Sequence, residues 1–404
     1  MTASEVDVAI VGGGLVGASL ALALAETPLK LALIEAAAPP TSAPAWDERC
    51  IALNDASRRI FTALGIWTEL APLAAPITTT HISERGRFGV ARFSAAEAKL
   101  DALGHNTPLR ALGAVLLARA QAQANLQWLC PARVQAITLG SSGGAQLTLD
   151  SGARISARLV VAADGASSAL RGLLGLSAEV RDYQQSAVVT AVRVQRDPNG
   201  VAYERFAPTG PFAVLPKPRL LGDPAEGHPC SLIWTLPTAR AEALQAAPEQ
   251  DFIVEAQQLF GERLGRFHSI GRRIVYPLHR TVSDTLTAPR VVFCGNAAQS
   301  LHPVAAQGFN LGLRDVQGLA ARLAQAAQQG GDPGAAALLT DYAASRQDDR
   351  RHTADFTDQL VRLFSNRLPL VSSLRHFGLL ALDLLPPAKE LVLRQNLGHR
   401  GLTA

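Results

Sequence analysis

The sequence predicts an α/β fold: a parallel-sheet nucleotide domain, interrupted by a mainly antiparallel sheet and followed by a C-terminal helical region. Three observations predict it. A strand, glycine turn, helix and second strand open the chain between Val6 and Glu35. Apolar strand runs return at Ala153 to Ala163 and at Arg290 to Phe293, each leading into a Gly-containing turn. Between those two runs, from Ala187 to Val275, strand-like segments dominate, whereas helical spacing governs the chain beyond Gly331.

Composition sets the frame. A chain of 404 residues has room for two domains or one elaborated one, and 48% hydrophobic against 18% charged residues supplies a core and excludes wholesale disorder. Cys50, Cys130, Cys230 and Cys294 show no CxxC spacing and no partnering His cluster. They read as free thiols in a reducing compartment, with no metal site. The first residues carry no basic, apolar and small-residue succession of a signal peptide. No apolar stretch reaches the ~18–20 residues of a membrane-spanning helix, so a cytoplasmic protein, soluble or peripheral, is expected. The net charge of +4 is not gathered into basic runs with interleaved aromatics, which speaks against a nucleic-acid partner.

Each element follows in order. Val6 to Val11 is a buried-strand run, Gly12-Gly13-Gly14-Leu15-Val16-Gly17 a turn, Ala18 to Glu26 a helix stopped by Pro28, and Leu29 to Ile34 a strand ending on Glu35. This is the G-x-G-x-x-G dinucleotide fingerprint in its required Rossmann-like context. Gly12 permits the tight turn, Gly14 lets a pyrophosphate approach the backbone, and Gly17 lets helix and strand pack closely. Glu35 stands where a carboxylate takes both ribose hydroxyls. The plainer alternative is a Gly-rich turn that binds nothing.

A Pro-rich stretch follows, then Asp47-Glu48-Arg49; Arg49 reads as a pyrophosphate contact or as a solvated charge. Ile77 to Phe93 suggests strands outside the nucleotide domain, and Pro108 to Ala124 a helix. The strand Ala153 to Ala163 ends on Asp164-Gly165, which either delivers a side chain to a ligand or makes a simple turn before a Ser-capped helix. Strands are expected at Val188 to Val194, Phe212 to Leu215 and Cys230 to Leu236, with a helix at Glu249 to Leu264. Arg290 to Phe293 then feeds the segment Cys294 to Gly312, rich in Gly, Asn, Pro and Gln, ahead of a helix from Leu311 to Gln325. Backbone N–H groups at Gly308-Phe309-Asn310 would favour negative charge there. From Gln359 onward six Lys/Arg face two Asp/Glu among apolar clusters; this is a docked helical extension or, alternatively, a surface for anionic membrane.

With these motifs in view, the chain resembles the class A flavoprotein monooxygenases, the p-hydroxybenzoate-hydroxylase-like family, and within it the ubiquinone-biosynthesis hydroxylases of the UbiH type, which act on 2-polyprenyl-6-methoxyphenol. The resemblance rests on Gly12-x-Gly14-x-x-Gly17 with Glu35, Asp47-x-Arg49, and Asp164-Gly165-x-x-Ser168-x-x-Arg171. It continues through Gly295-Asn296-Ala297-Ala298, Leu301-His302-Pro303, Gln307-Gly308-x-Asn310 and Asp315, and Tyr203-Glu204-Arg205-Phe206 leading to Gly210-Pro211. It implies a Rossmann-like FAD-binding domain (1–72, 100–172 and 285–335), an inserted substrate-domain sheet (73–99 and 173–284) and a C-terminal helical extension (336–404).

The implied activity is hydroxylation of a polyprenylated phenol with NAD(P)H and O2 through a flavin C4a-hydroperoxide. FAD would be held by Gly12, Gly14, Leu15, Gly17, Glu35, Arg49, Asp164, Gly165, Asn296, Pro303, Gly308, Phe309 and Asn310, with His302 and Pro303 at the flavin face as catalytic candidates. Peripheral contact with the inner face of the cytoplasmic membrane through the basic C-terminal region is the alternative to a docked tail, and membership of a multi-enzyme ubiquinone-biosynthesis complex is a further expectation. Two departures stand out: Asn296 replaces the family's Asp, and Ala306 replaces a Gly that is free to take φ > 0. These motivate a second reading, an idle flavin-binding scaffold; a third is hydroxylation of another ring position or another lipophilic phenol. A flavin halogenase would want Trp-x-Trp-x-Ile-Pro, which the chain lacks.

Overall fold

The computed structural model describes residues 4–39, 49–140, 143–220, 223, 226–302, 306–365 and 385–399. The elements, in chain order, begin with β1 (Ser4–Val11), α1 (Leu15–Ala23), β2 (Leu31–Ile34), β3 (Cys50–Asn54), α2 (Asp55–Ala63) and α3 (Trp67–Leu70). Then come β4 (Ala75–Ile77), β5 (Thr79–Glu84), β6 (Val90–Ser94), β7 (Gly104–Pro108), α4 (Leu109–Gln121), β8 (Leu126–Leu129), β9 (Val134–Leu139), β10 (Ala145–Leu149) and β11 (Arg154–Ala162). The middle holds α5 (Ala169–Leu173), β12 (Ala178–Val194), β13 (Val201–Ala207), β14 (Gly210–Pro216), β15 (His228–Pro237), α6 (Thr238–Ala246) and α7 (Glu249–Phe260). The last part is β16 (Phe267–Ile270), β17 (Ile274–Ser283), β18 (Thr287–Ala288), β19 (Val291–Phe293), β20 (Gln299–Ser300), α8 (Gln307–Gln328), α9 (Ala336–Ser365) and α10 (Pro386–Leu397).

Among the described residues, three sheets form. The first runs β18-β19-β11-β1-β2-β8, with β10 and β9 continuing from β11. Its centre is parallel: Val11 pairs with Ala162 and with Ile34, and Ala162 with Phe293. Those strands are apolar throughout because both faces are covered. Leu20, Leu319, Leu323 and Tyr342 of α1, α8 and α9 cover one face, and β9, β10 and α5 lie over the other.

The second sheet runs β20-β17-β12-β15-β14-β13-β5-β6 with β16 on β12. Side chains alternate along its strands. One face, with Val188, Val214, Leu232 and Trp234, is buried under Phe252 and Phe260 of α7. The third sheet, β3-β7-β4, lies between the other two.

The structure differs from the sequence expectations in register rather than in kind. The strand expected from Val188 starts at Ala178, because its polar first half is held by pairing with β17, Ala178 opposite Ser283 and Arg181 opposite Arg280. The last nucleotide-domain helix starts at Gln307, not Leu311. The C-terminal helix α10 docks on the body: Leu393 and Leu397 pack with Phe93 and Phe206, and Asn54 Nδ2 donates to Asn396 O at 3.1 Å.

Candidate functional site

Parallel pairing sets the ends of β1, β2, β11 and β19 level at one edge, so Gly12, Glu35, Asp164 and Gly295 emerge side by side. The glycines there do different work. Gly12 holds φ +105°, and a Cβ on it would lie 2.4 Å from Ala163 O. On Gly17 a Cβ would lie 1.9 Å from Gly12 O, so α1 rests directly on the turn. Gly14 is the opposite case: nothing lies within 4 Å of its missing Cβ, and Gly165, at φ +85°, is equally open. Crowding behind and open space in front make a cradle that backbone alone can line. Leu15 begins α1 and packs beside α4.

The acidic groups fit the same ligand. Glu35 Oε2 accepts from Gly13 N at 2.6 Å and Oε1 from Ala37 N at 2.8 Å, which fixes the carboxylate beside the turn. Asp164 Oδ2 accepts from Leu170 N at 3.1 Å. Its Oδ1 is buried with no partner among the described residues. A buried carboxylate oxygen left unsatisfied costs free energy unless a ligand donates to it, and ribose or ribityl hydroxyls are such donors.

The distant segment reaches the same place. A Cβ on Gly312 would lie 3.2 Å from both Gly295 Cα and Val16 Cγ2, so the starts of α1 and α8 and the turn after β19 converge. Asn296 is exposed on that turn. No side chain caps α8, and Gly308 has open space around it. Gly308 and Phe309 thus sit in a first turn whose N–H dipoles favour negative charge.

The side chain of Asn310 faces inward. Oδ1 accepts from Asn54 N (3.1 Å) and Ser57 Oγ (2.6 Å), while Nδ2 donates to Ala52 O (3.0 Å) and Ala306 O (2.7 Å). The Arg49 guanidinium carbon lies 4.9 Å from the Tyr276 ring centroid, where cation–π attraction holds it.

His302 is 1% exposed and meets Tyr183 edge-on at 5.1 Å. Burial, opposed by the charge of Asp358, lowers its pKa to about 4, so the ring is neutral near pH 7. Pro303 lies outside the described residues.

Sequence reading missed what holds α8 in place. Asp315, fully buried, accepts from Gly295 N (3.3 Å), Gln299 Nε2 (2.8 Å) and Arg346 Nε (2.8 Å). Arg346 and Arg314 share Asp349. The signal available was an Arg/Asp spacing on two successive helices, α8 and α9.

Beyond this edge lies the second sheet, with the face that α7 does not cover turned towards it. Asn106 Nδ2 of β7 donates to Ser231 Oγ (3.0 Å) and Pro216 O (2.9 Å), and Arg49 covers Tyr276. The nucleotide-binding half therefore spans that face, and β20, from the segment before α8, pairs with β17 at the sheet's edge. Val189, Ala213, Leu215, Ile233 and Tyr276 each keep accessible surface there. This apolar row therefore lies where the third sheet meets the second, and ligand sites favour interfaces of that kind.

Comparison with known proteins agrees with this geometry. The FAD binding domain family model matches residues 5–357. The ubiquinone hydroxylase UbiL of Rhodospirillum rubrum is 37% identical over 393 residues, 97% of this chain and 89% of that protein. The 3-demethoxyubiquinol 3-hydroxylase of Escherichia coli is 32% identical, covering 98% of this chain and 100% of that protein. In fold, the p-nitrophenol 4-monooxygenase PnpA of Pseudomonas putida superposes with a TM-score of 0.79 at 16% identity, over 99% of this chain and 100% of that one. The chain belongs to the FAD binding domain family, and it is an FAD-dependent monooxygenase akin to the ubiquinone hydroxylases, in a family for which NAD(P)H is the typical electron donor.

Proposed function

We propose that this chain hydroxylates the ring of a polyprenylated phenol in ubiquinone biosynthesis, using NAD(P)H and O2. The observation that carries the reading is the apolar, accessible sheet face opposite the FAD cradle, which suits a lipophilic ring and the start of its prenyl chain. FAD, when bound, supplies the oxygen-activating chemistry. The protein's part is position and electrostatics. Gly12, Gly14 and Gly17 admit the pyrophosphate, Glu35 takes the adenosine ribose, and Asp164 Oδ1 with the Gly165 turn takes the ribityl region. Asn296 accepts a ribityl hydroxyl proton through its amide oxygen. The Gly308 and Phe309 N–H groups favour negative charge on the ring system's pyrimidine edge, as oriented dipoles do for an oxyanion. Arg49 would have to leave Tyr276, or share it, to reach a phosphate.

Complementation tests the reading. Strains each lacking one ubiquinone-ring hydroxylation step should include one that this chain restores, with its accumulated intermediate consumed. Restoration of none, with soluble FAD-loaded protein present, would exclude the pathway.

Among the described residues no helix is long and apolar enough to cross a membrane. A cytoplasmic location with peripheral membrane contact is part of the proposal, as is membership of a biosynthetic complex. Leu385 and Leu391, 54% and 56% exposed around α10, support the membrane contact. Replacing both by Ser should weaken binding to anionic vesicles, and unaltered binding would remove that part.

A further inference from the structure

One cross-strand row on the ligand-side face of the second sheet runs through seven strands: Ile274, Val189, Ile233, Ala213, Glu204, Ile82 and Ala91. Six of these are aliphatic. The seventh, Glu204, places a carboxyl among them.

Its surroundings offer little compensation. Among the described residues no donor lies in hydrogen-bond reach of the Glu204 carboxyl, and its cross-strand neighbours are Ala213 and Ile82. Tyr203, Arg205, His81 and Arg92 belong to the opposite face by alternation and register. On Glu204's own face, Glu84 lies two residues from Ile82 and Lys217 follows β14, while Phe206 and Phe93 pack under α10, whose Lys389 lies 6.0 Å from the Phe93 ring centroid and donates to Glu97; Glu84, Lys217 and Lys389 each have polar contacts of their own. Glu204 is half-buried, so its carboxyl keeps some accessible surface among these apolar neighbours. A carboxyl in such a place is costly for stability, so a role towards a ligand accounts for it better than packing does.

We propose that Glu204 is a catalytic residue, the base that receives the hydroxyl proton of the phenol bound on this face. In the step, the phenol O–H bond breaks and an O–H bond forms on a Glu204 carboxylate oxygen. The electron pair left on the phenolic oxygen conjugates into the ring and makes its carbons better nucleophiles. No electron is exchanged with an oxidant or reductant. Burial raises the Glu204 pKa to about 7, which leaves it poised between acid and base near neutral pH. The alternative candidate, His302, is neutral but packed edge-on against Tyr183 with 1% of its surface accessible.

The inference rests on the phenol-hydroxylase reading, and its test separates the two. FAD-loaded wild type, Glu204→Gln and Glu204→Asp are titrated with 2-geranylphenol across pH 5 to 9. The bound probe is read by its ultraviolet difference spectrum, in which phenolate absorbs at longer wavelength, and turnover by product formed per NAD(P)H oxidised. In the wild type, phenolate and kcat should rise together through about pH 7 as Glu204 loses its proton. Glu204→Gln should keep FAD and bind the probe as neutral phenol, with kcat lower by roughly 100-fold or more and the acid limb gone. Glu204→Asp should restore part of the limb. Wild-type turnover with an unchanged limb and phenolate signal in Glu204→Gln would overturn the base assignment and leave the hydroxylase reading standing. A wild type that neither binds nor oxidises the probe would overturn both.

Discussion

Two backbone turns bound the cofactor cradle, and they are built on opposite plans. The first, Gly12 to Gly17, is shaped by missing side chains: a positive φ at Gly12, a helix seated on the turn at Gly17, open space at Gly14. The second, from Gly295 to Asn310, is shaped by side chains that are present. Asp315 draws in Gly295 N and Gln299 while an Arg346–Asp349–Arg314 chain backs it, and Asn310 ties Ala306 to β3. A turn made by glycine is local and tolerates its neighbours. A turn made by a buried polar network depends on the two helices that follow it.

The largest effect should therefore come from the network. Asp315→Ala would leave the Arg346 guanidinium, 3% exposed, without one of its two carboxylates and free the Gly295 N–H. Breaking a buried, hydrogen-bonded ion pair from one side costs about 3–5 kcal/mol. Urea unfolding should show a loss of that size, together with weaker FAD retention. A change below about 1 kcal/mol would mean that α8 is held by packing alone.

Gly14→Asp probes the first turn without the same risk to folding, because nothing stands within 4 Å of the new Cβ. Its carboxylate would occupy the phosphate approach with the wrong charge. We expect folding unchanged and FAD affinity lower by roughly 100-fold, a difference of about 2.7 kcal/mol. FAD retained at wild-type stoichiometry on dilution would place the pyrophosphate elsewhere.

This contrast also explains what the sequence made legible. The glycine fingerprint and the Asp164-Gly165 strand end could be read because each is contiguous and each glycine answers a local steric demand. The second sheet was legible as apolar alternation, but not the first half of β12, whose polar residues are ordered by β17 about a hundred positions later. The Arg49–Tyr276 contact is not legible locally, because Tyr276 lies on another sheet. Glu204 sat inside a quoted motif without a role, since only strand register shows a carboxyl surrounded by Ala213 and Ile82.

The smallest effect tests where the two plans meet. Ala306, which caps α8, holds φ +49° and ψ +34°, the left-handed region that the first turn reaches only with glycine. For an L residue that conformation costs roughly 1–2 kcal/mol. Asn310 Nδ2, bonded to Ala306 O at 2.7 Å, helps hold it there. Ala306→Gly removes the strain but lets the unfolded chain gain about 0.4–1 kcal/mol of backbone freedom. The two partly cancel, leaving a net stabilisation of about 0–1.6 kcal/mol. Urea unfolding of the FAD-free protein should resolve it, and FAD should bind no tighter, because Asn310 already sets the loop in its binding shape. If Ala306→Gly instead lowered stability, the strain would not be the governing cost at this turn. If it tightened FAD binding, Ala306 would be holding the loop away from its bound form, and the side-chain plan would be working against the ligand instead of for it.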